Sequence, residues 1–153
     1  MQNWSKLLKI LPPYWVIIDV TAGLALHAVW IWKGGPRLAL PAPGLVTVVL
    51  GFGLMIWAWK LFHHRGTAVC PFEASTHFVR EGPYRFTRNP MYLGMTLILL
   101  GIALVSGTPP VFLAPLAFFF TVHLAFIPYE EKKMEETFGE AYRDYKRRVR
   151  RWL

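Results

Sequence analysis

A chain of 153 residues with 54% hydrophobic and only 17% charged residues has too few polar side chains to coat a water-soluble domain, so its apolar residues must face something other than water. The formal net charge of +8 would suit a nucleic-acid binder, but the basic residues flank apolar blocks as they do in membrane proteins, and no nucleic-acid partner is expected. Cys70 is the only cysteine, which excludes an internal disulfide and gives no sign of an oxidising compartment.

Four apolar blocks follow in chain order: Tyr14 to Trp32, Gly44 to Phe62, Met91 to Val105 and Val111 to Ile127. Each is near the ~20 residues a helix needs to cross a ~30 Å hydrocarbon layer. They predict an all-α fold, a polytopic membrane bundle of about four transmembrane helices forming a single domain over residues 1–153. The first block is read as a retained span, because it follows a polar-apolar lead, is too long for a signal peptide and has no small-residue cleavage site. It holds Asp19 and His27, which lie within ~80° of each other on a helix. Ionisable residues in a span suggest function by default, here acceptor binding or proton acceptance. The bland alternative is that Asp19 reaches the interface and His27 is a neutral packing residue.

The second block ends near His63 and His64, whose adjacent side chains do not converge on one ion, so no metal is expected. From His63 to Asn89 the breakers Gly66, Pro71, Gly82, Pro83 and Pro90 rule out one long helix, yet the apolar residues between them predict an ordered loop at the membrane surface. The third and fourth blocks are separated only by Ser106-Gly107-Thr108-Pro109-Pro110, a tight helical hairpin. Beyond it, Met134, Phe138, Tyr142 and Tyr145 recur at helical spacing, which predicts an amphipathic continuation of the fourth helix interrupted near Gly139. Lys146 to Arg151 is a basic cluster suited to anionic headgroups, each charge contributing about 1 kcal/mol. Most Lys and Arg lie on one side of the bundle, with only Lys33 and Arg37 opposite, which predicts that both termini and the middle loop are cytoplasmic.

Two patches carry candidate chemistry: Gly82 to Gly94 at the start of the third helix, and Glu130-Glu131 with Phe138-Gly139-Glu140-Ala141-Tyr142 beyond the fourth. A short hairpin puts both at one end. A Gly-Pro turn, Arg85 and Arg88, tyrosines and two adjacent carboxylates around one cavity suit a ligand with cationic and anionic ends and an aromatic ring. Each residue also has a plainer reading: Glu130-Glu131 as a solvated face, the arginines as headgroup contacts, and Tyr84 and Tyr92 as interfacial aromatics.

The Gly-x-Tyr at Gly82–Tyr84, Arg88-Asn89-Pro90-Met91-Tyr92, Glu130-Glu131 and Phe138-Gly139-x-x-Tyr142 occur in the order found in the isoprenylcysteine carboxyl methyltransferase and phospholipid methyltransferase superfamily, which residues 69–149 resemble. The resemblance implies an integral membrane methyltransferase with a cytoplasmic pocket for S-adenosylmethionine. It would be lined by His77, Phe78, Val79, Tyr84, Asn89, Pro90, Met91, Tyr92, Glu130 and Glu131, with Arg88 and Glu130 nearest the chemistry and no metal. The cofactor's ammonium and ribose favour Glu130 or Glu131, and its carboxylate favours Arg88. The acceptor would be a lipophilic amine, thiol or carboxylate drawn from the bilayer. Phe126 stands where the carboxyl-methylating branch has an arginine for its prenylcysteine, Asn89 replaces a histidine, and Arg150 a proline. The Phe126 change points away from prenylcysteine, and Asn89-Pro90-Met91-Tyr92 resembles the phospholipid-methylating branch. Two other classes stay open: a nicotinamide-dependent membrane reductase of related core, and a small four-helix transporter using Asp19.

Overall fold

The computed structural model describes residues 12–64 and 78–153. Five α-helices are present among them: α1 (Pro12–Trp32), α2 (Pro41–His64), α3 (Pro90–Ser106), α4 (Leu113–Thr121) and α5 (Ile127–Arg148). The predicted helical membrane bundle is what forms. α1, α2 and the continuous rod from Pro109 to Arg148 are long and apolar enough to cross a membrane. The 17-residue α3 is shorter, roughly 26 Å at 1.5 Å per residue.

Local chemistry sets the boundaries. Pro90 opens α3 at a position where its missing N–H costs nothing. Gly107 closes α3 in the left-handed region at φ 66°, its N–H donating to the Ala103 carbonyl at 2.9 Å. The left-handed turn also leaves no room for a side chain, since a Cβ on Gly107 would meet the backbone of Leu38 and Ala39. That loop is pinned there by Leu38 N–H to the Gly107 carbonyl at 2.8 Å and Leu40 N–H to the Leu104 carbonyl at 2.9 Å. A 3₁₀ turn over Pro109–Phe112 then starts the return.

α4 passes into α5 through one π-helical turn, Val122–Phe126, in which Ile127 N–H reaches the Val122 carbonyl five residues back. The apolar span ends at Ile127, and the charged remainder of α5 lies beyond it. Gly139 breaks α5 at φ 52°, ψ −124°, where the sequence predicts an interruption. α2 lies along α3, and α1 packs mainly on α4 and the turn before it. Tyr92, Met95 and Leu99 of α3 meet Ala114, Phe118, Val122, Phe126 and Ile127 in the core, with Trp15, Val16, Val20, Met55 and Trp152 closing around it.

Candidate functional site

The hairpin brings both motif patches to one end of the bundle, and two side-chain links join them. Tyr92, one turn into α3, donates to Glu130 Oε1 at 2.5 Å. Arg88 donates from one terminal nitrogen to Glu131 Oε1 at 2.7 Å. The neighbouring carboxylates have opposite surroundings. Glu131 is buried and grasped by Arg88 and by Arg151, whose Nε and terminal nitrogen lie 3.1 and 2.7 Å from its two oxygens. Burial opposes its ionisation, but the guanidinium hydrogen bonds outweigh burial and hold it below the usual carboxylate range. Glu130 has no guanidinium bonded to it and keeps part of its surface open. Burial pushes it up to about 7, the Tyr92 hydrogen bond and the Lys133 charge pulling the other way.

Arg88 is spent largely on protein. Its other terminal nitrogen donates to the carbonyls of Lys146 at 3.1 Å and Val149 at 2.8 Å, leaving Nε buried without a partner. The side chain that the resemblance assigns to the cofactor's carboxylate thus ties α3 to the end of α5 here. Asn89 is also buried, its amide donating to the Arg151 carbonyl at 2.9 Å. Thr87 donates to the same carbonyl at 3.1 Å, and Arg88 N–H to that of Arg150 at 3.0 Å. Residues 149–151 therefore form a strap across the Arg88-Asn89 turn. Trp152 continues it, packing 4.7 Å from the Phe119 ring centre and donating to His123 Nδ1 at 3.1 Å.

The turn itself is built from Gly82–Arg85 as a short 3₁₀ helix. Gly82 sits at φ 56°, and a Cβ there would also strike Leu61 of α2 at 2.7 Å. Tyr84 is buried with Ala58 and Val79, with Met91 packed against them, and its carbonyl accepts from the Tyr145 hydroxyl at 2.6 Å. Phe78 stacks on Phe138 at 5.3 Å and meets the edge of Tyr145 at 5.2 Å. Burial raises the phenols of Tyr84, Tyr142 and Tyr145, keeping them neutral hydrogen-bonding groups. Pro90 is fully enclosed. His77, like Cys70, lies outside the described residues.

The three residues considered for an acceptor are not brought together. Phe126 is fully buried in the core. His27 is at the opposite end of the bundle, its Nδ1 hydrogen-bonded to Thr108 Oγ1 at 2.9 Å. Asp19 lies between: Gly23, one turn further on, faces Ala114 and Val111, which puts Asp19 near the level of Phe118, roughly 18 Å of helix from Glu130. Asp19 Oδ2 and Trp15 Nε1 are buried without hydrogen-bond partners. No group of acidic, histidine or cysteine residues able to hold a metal occurs among the described residues. The sequence pattern does not reveal the contributions of Arg151, Thr87 and Trp152. The only signal for them is a tryptophan closing a basic run, where solvated residues would be expected.

The fold and the buried charged cluster at one end define a helical membrane protein with a polar cluster outside its apolar span. The phospholipid methyltransferase family profile matches residues 40–141, two thirds of the chain and the whole of this cluster up to Ala141. The chain belongs to the phospholipid methyltransferase family. It is similar to an uncharacterized protein of Haemophilus influenzae, 41% identical over 63 residues that make up 41% of this chain and all of that one. No solved structure matches.

Proposed function

We propose that this chain is an integral membrane methyltransferase that binds S-adenosylmethionine at the Glu130 end of the bundle and methylates a lipophilic acceptor. The Tyr92–Glu130 hydrogen bond carries the reading, because it joins the two halves of the family motif around a carboxylate not committed to a guanidinium. Family membership supports it independently. The site suits such a cofactor, because half-open Glu130 can receive an ammonium or ribose hydroxyls. When bound, the cofactor supplies a methyl carbon already activated by a positive sulfur, so no metal is needed.

The protein's share is placement. Tyr92 orients the Glu130 carboxylate, Arg88 and Arg151 fix Glu131, and the Tyr84 carbonyl held by Tyr145 sets the turn. Buried aromatics on the turn and on α5 keep water from the reacting atoms. The excess of basic residues at this end supports a cytoplasmic face for it, with the polar cofactor arriving from water and the acceptor from the bilayer.

Calorimetric titration of detergent-purified protein with S-adenosylhomocysteine tests the reading. Wild type should bind, and Glu130→Gln and Tyr92→Phe should each weaken binding by about tenfold, 1.4 kcal/mol. Absence of binding by folded wild type would overturn it and redirect the search to nicotinamide cofactors and to transport through Asp19.

A further inference from the structure

At the Glu130 end the acidic residues are already used. Glu131, Glu135, Glu136, Glu140 and Asp144 are each paired with a lysine or arginine, and Glu130 is held by Tyr92. Four exposed arginines remain with no ion pair and no side-chain hydrogen bond among the described residues: Arg80, which lies over the Phe78 ring, and Arg85, Arg148 and Arg150, which have no ring beneath them. The strap carries Arg148 and Arg150 to the turn that follows Arg85. Arg148 and Arg150 flank Val149, whose carbonyl accepts from the Arg88 side chain, while the Arg150 carbonyl accepts from Arg88 N–H, three residues from Arg85. Beside them are two apolar side chains open to the surroundings, Phe86 at 68% and Leu153 at 73% exposure. Uncompensated guanidiniums with adjacent exposed apolar groups, just outside the apolar spans, match a phosphate attached to a hydrocarbon body.

We propose that Arg85, Arg148 and Arg150 bind the phosphate of an anionic phospholipid headgroup, and that this lipid holds the strap closed over the Arg88-Asn89 turn. Without an anion, the three like charges repel one another and oppose the backbone contacts that bring residues 149–151 onto the turn. A phosphate bridging them replaces repulsion with charge-assisted hydrogen bonds, for which guanidinium geometry is suited. Lipid composition would thereby control the order of the site without touching its interior. The inference needs the membrane setting of the chain but not the identity of its reaction.

The test is hydrogen exchange of the strap amides in the full chain, in nanodiscs of phosphatidylcholine alone or with phosphatidylglycerol added. Phosphatidylglycerol should slow exchange at residues 149–153 by about tenfold, an effect that shrinks as salt is raised. The triple variant Arg85→Gln, Arg148→Gln, Arg150→Gln should lose the slowing. The corresponding lysine variants, which keep the charge, should retain part of it and serve if the glutamine variant misfolds. Equal exchange in the two lipids, or slowing that survives in a folded triple variant, would overturn the proposal. So would equal slowing by inorganic phosphate in phosphatidylcholine discs, which would show an ordinary anion effect.

Discussion

α2 and α3 meet backbone to backbone, whereas α1 meets the bundle through side chains. Along the first seam Gly51 faces Gly94 and Gly44 faces Gly101. A Cβ on Gly51 would stand 2.6 Å from the Gly94 carbonyl oxygen, and one on Gly101 the same distance from that of Gly44. Such close approach gives van der Waals contact along the whole crossing, the way helices associate when lipid supplies no hydrophobic drive. α1 has one glycine at its seam, Gly23, where a Cβ would find ordinary contacts of 3.6 and 3.7 Å with Ala114 and Val111. Its one described side-chain link to the hairpin turn is the His27–Thr108 hydrogen bond, and it leaves Asp19 Oδ2 and Trp15 Nε1 unpaired. The side of the molecule that positions the motif turn is thus fixed at backbone resolution, and the side away from it is held by adjustable side chains.

Breaking the fixed side should cost most at its charged end. Glu131→Ala leaves Arg88, 10% exposed, without its counter-charge, and should destabilise the protein by about 3 kcal/mol in detergent unfolding. Either Gly51→Ala or Gly94→Ala forces the α2–α3 seam apart and should cost about 1 to 3 kcal/mol in the same assay.

Glu130 sharpens the comparison by pH. Its folded pKa is raised from 4.5 to about 7, so the native state favours the neutral acid and stability falls as pH rises from about 4.5 through about 7. Glu130→Gln should flatten that slope. The ammonium group of S-adenosylhomocysteine favours the ionised form, so its affinity should rise about tenfold from about pH 6 to about pH 8 in wild type and stay level in the variant. The smallest effects belong to α1. Thr108→Val, which removes the His27 link, should cost about 0.6 kcal/mol, and Gly23→Ala should stay within about 0.5 kcal/mol of wild type.

The sequence makes the apolar spans, the proline-rich hairpin and the Gly139 break legible because each arises from local rules of hydropathy, proline and glycine. It also puts the two patches at one end of the bundle, because a short hairpin returns the chain to the side it came from, but that Tyr92 meets Glu130 depends on the π turn, which has no mark in the sequence. The distinct surroundings of Glu130 and Glu131 are not legible. Adjacent carboxylates look alike in a sequence, and what separates them is Arg151, which reaches Glu131 only because the chain turns back after Val149. For the same reason the basic run Lys146 to Arg151 reads as uniform, although Lys146 and Arg151 point into the cluster while Arg148 and Arg150 face outward. The glycine seam escapes because glycines in apolar helices have no partner until the helices are packed.

The π turn at Val122–Phe126 acts as a phase shift in the rod. Each residue added to a helix rotates the rest of the helix by about 100°, and the extra residue accommodated here sets the angular position of everything beyond it relative to α4. With that residue deleted, Phe118 and Val122 would still face α3, but Glu130 and Glu131 would swing about a quarter-turn away from Tyr92 and Arg88. One wide turn therefore lets a single continuous helix serve two faces in succession, one addressed to hydrocarbon packing and the next to the buried charged cluster.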